Sequence, residues 1–67
     1  MWMTYWFSIE GEDSDLCGEE FFVEVKDEDN PLAIAWDIAV ENFPNEELKC
    51  YGRVSSAWAE MMGYDTY

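Results

Sequence analysis

Pro31 and Pro44, the only two prolines, bracket the one stretch of this chain with sustained helical periodicity. Asn30 is a favoured N-cap type, and Pro31 falls at the first helical position, where a missing N–H costs no intrahelical bond. The segment Leu32 to Phe43 then runs on until Pro44 stops it. Leu32, Ala35, Trp36, Ala39 and Phe43 share a stripe that Ile38 widens, with Asp37 and Glu41 on the opposite side. The sequence on either side has a different period, so the helix needs a sheet to pack on.

Residues 2–10, WMTYWFSIE, are rich in aromatic and β-forming types and lack Gly and Pro, which predicts a strand. A polar loop from Gly11 to Gly18 leads to a second strand over residues 19–26, and the pair reads as a hairpin with a long acidic connection. After Asn45-Glu46-Glu47, residues 48–54 alternate as a third strand. Leu48, Cys50 and Val54 point one way, and Lys49, Tyr51 and Arg53 the other. A short helix capped at Ser55 or Ser56 follows, through Trp58 and Met62 to Gly63, and Tyr64 to Tyr67 are unassigned. The expectation is a single α+β domain over residues 1–67, ordered β-β-α-β-α, with a three-stranded sheet and both helices on one face. Sixty-seven residues leave room for one core only.

Charge narrows the function. Sixteen acids against three bases give a net charge of −13. Yet 49% of residues are hydrophobic and 18% aromatic, which argues for a folded chain rather than a disordered acidic one. Lys26, Lys49 and Arg53 cannot build a phosphate-neutralising face, and an anionic membrane would repel the protein. Residues 1–9 lack the basic start of a signal peptide, and no apolar run approaches the roughly 18 residues of a membrane span, so a cytoplasmic protein is expected. Cys17 and Cys50 are too few for a disulfide scaffold and read as reduced thiols. With no His, no nucleophile–base pair and no Gly-rich phosphate loop, a non-catalytic protein without cofactor or metal is expected.

Ten of the sixteen acids lie between Glu10 and Asp29. Asp27, Glu28 and Asp29 complement the dipole of the helix that follows, but the rest have no such structural reason. The excess is well above the charge of about 2 to 8 that keeps a small domain soluble. The acids therefore read as a binding surface: Glu10, Glu12, Asp13, Asp15, Glu19 and Glu20 around the hairpin, with Asp27, Glu28 and Asp29 as a second patch. Spaced carboxylates can stand in for a phosphate backbone and occupy the basic groove of a nucleic-acid-binding protein. In size and charge alone, the chain resembles small acidic inhibitors of restriction, interference and repair enzymes, often carried by phages or mobile elements.

Two other readings compete. Asp13, Asp15, Gly18 and Glu24 match positions of a calcium-binding loop, but Cys17 stands where an oxygen ligand belongs and the flanks read as strands instead of helices. Alternation also places Trp6, Phe22 and Tyr51 on the sheet face away from the helices, beside all three bases. An exposed aromatic patch of that kind would serve a homodimer or a protein-docking module, with the acidity serving solubility.

Overall fold

The computed structural model describes every residue except Glu28. Its elements are β1 (Trp2–Ile9), β2 (Glu20–Lys26), α1 (Pro31–Asn42), β3 (Leu48–Val54) and α2 (Ser56–Met62), in the predicted order and class. Both β2 and β3 pair antiparallel to β1, which is central in the sheet order β2-β1-β3. Consequently β2 and β3 run parallel, and α1 is the crossover between them.

The first sheet face carries the main core. Met3, Tyr5, Phe7 and Ile9 of β1 join Phe21, Val23 and Val25 of β2 beneath Ala35 and Ala39 of α1. The two alanines let the helix backbone come close, while Ile34, Trp36, Ile38 and Phe43 fill in around them. Phe7 stacks on Phe21 at 5.5 Å and meets Trp36 edge-on at 5.0 Å. Leu32, expected in the stripe, lies in the first helical turn and is exposed. Asn30 precedes the helix in the left-handed conformation (φ 53°, ψ 55°) and makes no side-chain cap. Asn tolerates this conformation, and its carbonyl accepts from the Ile34 amide at 3.2 Å.

The second helix corrects the expectation of two helices on one face. Trp58 of α2 packs 5.1 Å from Trp6 and 5.8 Å from Phe22, on the face opposite α1. The cause is the C-terminal tail. Thr66 bridges Phe22 in parallel. The amides of Phe22 and Glu24 donate to the carbonyls of Asp65 and Tyr67 at 2.8 and 3.0 Å, and the Tyr67 amide donates to Phe22 at 2.9 Å. Residues 64–67 thus cover the outer edge of β2, and α2 is the crossover that carries the chain there from β3. Crossovers between parallel strands are almost always right-handed. Two that travel in opposite directions across one sheet must then lie on opposite faces.

A bulge corrects the third strand. Trp6 pairs with Gly52 but Phe7 with Cys50, so Tyr51 is the extra residue. Gly52 holds φ at 110°, a value that costs glycine little. Beyond the bulge the faces exchange. Arg53 pairs with Tyr5 on the α1 side and Val54 with Thr4 on the other, the reverse of simple alternation.

Candidate acidic interface

The first loop is built by its own hydrogen bonds. The Gly18 amide donates to Ile9 at 2.8 Å and the Ile9 amide to Glu19 at 2.9 Å, closing the hairpin. Within it, Ser14 and Cys17 amides donate to Gly11 and Ser14, and the Ser14 hydroxyl accepts from the Leu16 amide at 3.0 Å. This scaffold leaves Glu12, Asp13, Asp15 and Glu19 exposed.

A second segment joins it. Because β1 and β3 are antiparallel with Ile9 opposite Leu48, the residues before Leu48 abut those after Ile9. The Glu10 amide donates to Glu47 at 2.8 Å. Glu46 and Glu47 share a cleft of about 340 Å³ with Glu12 and Asp13. One Glu46 oxygen is buried there without a hydrogen-bond partner. Sequence reasoning left these two glutamates out of the surface, because alternation gives the faces of a strand but not the pairing of β3 with β1 that brings them there.

Two of the expected surface acids are engaged from within. Glu20 accepts from Trp6 Nε1 at 3.0 Å and from the Tyr64 hydroxyl at 3.1 Å. Glu10 accepts from the hydroxyls of Ser8 at 2.7 Å and Tyr51 at 3.3 Å. The Tyr64 phenol is pushed above its ordinary pKa by desolvation, with the hydrogen bond and charge of Glu20 adding to it.

Asp27 and Asp29 are exposed at the other end of the sheet, where the Asp27 amide donates to the Met1 carbonyl at 2.9 Å. From the Ser8–Glu20 pair to the Trp2–Lys26 pair is six residue steps, roughly 20 Å at about 3.4 Å each. The two acidic groups are therefore separate, one at each end. Glu28 lies outside the described residues. The calcium-loop match does not assemble: Asp13 and Asp15 sit on the loop, whereas Glu24 pairs with Thr4 in the middle of β2. Among the described residues no group of three or more acids or cysteines is arranged to hold a metal.

Trp6, Phe22 and Tyr51 do share a face, but it is not open. Trp6 stacks on Tyr51 at 4.1 Å, and Tyr64 stacks on Phe22 at 5.3 Å. With Trp58 over both strands, Phe22 is 0% exposed while Tyr51 remains 45% exposed. The expected patch is a second small core, closed by α2 and the tail. The bases are dispersed: Lys26 lies over Trp2, Lys49 over Tyr51, and Arg53 registers with the opposite face. Cys17 is exposed and Cys50 half-buried, both as free thiols. Burial pushes the Cys50 thiol up, partly offset by a hydrogen bond from the Gly52 backbone.

No family model matches this sequence, and no curated protein or solved structure matches it.

Proposed function

We propose that this protein is a non-catalytic inhibitor that occupies the basic nucleic-acid-binding site of another protein. One observation carries the reading. Glu12 and Asp13 share a cleft with Glu46 and Glu47, from a separate segment, and Asp15 and Glu19 are exposed on the same hairpin connection, at one end of a sheet whose other end carries Asp27 and Asp29. Thirteen net negative charges on a molecule 36 Å long give a field of the same sign as that of duplex DNA. A groove that attracts a duplex would therefore attract this protein by the same field, with fast, salt-sensitive association. Its setting would be cytoplasmic counter-defence of the phage type, against a nuclease, restriction or CRISPR-type interference protein.

The test is capture from bacterial lysate by wild-type protein and by Glu12→Lys/Asp15→Lys. The expected result is a nucleic-acid-binding protein that competing DNA displaces and that the double variant fails to retain. Partners that bind both proteins equally and ignore DNA would refute the reading.

A further inference from the structure

We propose that the cavity between the first loop, the end of α1 and the C-terminal tail receives one cationic side chain, an arginine guanidinium, from the protein's partner. The cavity has a volume of about 140 Å³ and contains no base in its lining. Phe21, Phe43 and Tyr67 line it and contact one another, with ring centroids 4.7, 5.6 and 5.5 Å apart. Leu16 adds an aliphatic wall, and two exposed acids, Glu19 and Asp65, complete the lining. Glu20 also borders the space, but its carboxylate is held by Trp6 and Tyr64.

Size and chemistry select the occupant. Sites for free organic ligands usually run from about 300 to 1,000 Å³, so this one is too small for them. It has room for about four or five waters at roughly 30 Å³ each, the scale of one side-chain head with part of its stem. Aromatic rings attract cations, and a guanidinium can stack on the accessible rings of Phe43 and Tyr67, with Phe21 buried beside them, while its N–H fork engages carboxylates. An anion would meet two carboxylates within a field of thirteen net negative charges. The cavity also opens beside the acidic loop, since Leu16 and Glu19 belong to both. A basic groove seated over that loop could place an arginine in it as an anchor at the interface centre. The inference rests on the proposed function for its partner, but its test needs no partner.

The test is an NMR titration of the isolated protein with N-acetylarginine methylamide and with its citrulline analogue, a neutral near-isostere. Arginine should shift the ring signals of Phe21, Phe43 and Tyr67 and the Glu19 amide, and bind at least about fivefold more tightly than citrulline. Glu19→Gln/Asp65→Asn should weaken arginine binding about three- to tenfold, the scale of two partly exposed ion pairs. The control Asp37→Asn/Glu60→Gln makes the same charge change at exposed residues outside the cavity and should alter binding less than about twofold. Preserved spectral dispersion in each variant shows that the fold is retained. Equal responses to arginine and citrulline, or equal losses in the two double variants, would overturn the proposal. Arginine binding in the cavity without any DNA-displaceable partner would instead sink only the proposed function.

Discussion

At the scale of residues, carboxylates of two kinds stand among the described residues, with different consequences. Glu12, Asp13 and Asp15 are exposed on a loop whose shape depends on backbone bonds and Ser14, whereas Glu20 ties β1 to the tail through Trp6 and Tyr64. Removing Glu20 leaves the indole N–H and the phenol without their acceptor in a half-buried setting. Hydrogen bonds to charged groups contribute about 1.5–3 kcal/mol, and leaving a partner unsatisfied adds to the loss. Glu20→Ala should therefore destabilise the protein by about 1.5–3 kcal/mol in urea unfolding followed by Trp fluorescence. Glu12→Ala should stay within about 0.5 kcal/mol of wild type, since exposed substitutions usually do. Equal effects from the two would mean that the Glu20 bridge does not form in solution.

At the scale of elements, the C-terminal tail decides more of the fold than its four residues suggest. Three backbone hydrogen bonds join it to β2, Tyr64 stacks on Phe22, and Tyr67 meets Phe21 and Phe43 edge-on. Losing bonds worth about 1 kcal/mol each, together with the partial burial of two aromatic side chains, amounts to roughly 4–5 kcal/mol. A domain of this size holds about 3–10 kcal/mol in total. Deleting residues 64–67 should leave the chain largely unfolded at 25 °C by circular dichroism, and the Phe22 and Glu24 amides of the intact protein should exchange slowly. A truncated chain with native ellipticity would refute this role. The tail also explains where sequence reading stopped. Alternation along WMTYWFSI and FFVEV was enough to assign both faces of β1 and β2, because each side chain's direction follows from its parity. YDTY is too short to show a period, and without it as a strand nothing indicates that α2 must cross back over the second face. The exchange of Arg53 and Val54 was hidden for a related reason: Gly52 marks a bulge only when the partner strand's register is known.

For the whole molecule, the same charge that would steer binding opposes compaction. The three bases can neutralise at most three of the sixteen acids, and the loop end brings Glu46 and Glu47 against Glu12 and Asp13. Like charges held close destabilise the folded state, and salt screens them over a Debye length that falls from about 10 Å at 0.1 M to about 3 Å at 1 M. Raising NaCl from about 0.05 to 0.5 M should therefore raise the unfolding midpoint of the wild-type protein. In Glu12→Lys/Asp15→Lys, whose net charge falls from −13 to −9 because each of two substitutions adds two positive charges, the gain should be smaller. That variant should be at least as stable as wild type at low salt, by up to about 1 kcal/mol, while binding its partner worse. Opposite signs for stability and binding are what a surface kept for recognition predicts. If reversing these charges lowered stability and binding together, the acidic loop would be a structural element, and its carboxylates would owe their place to the fold.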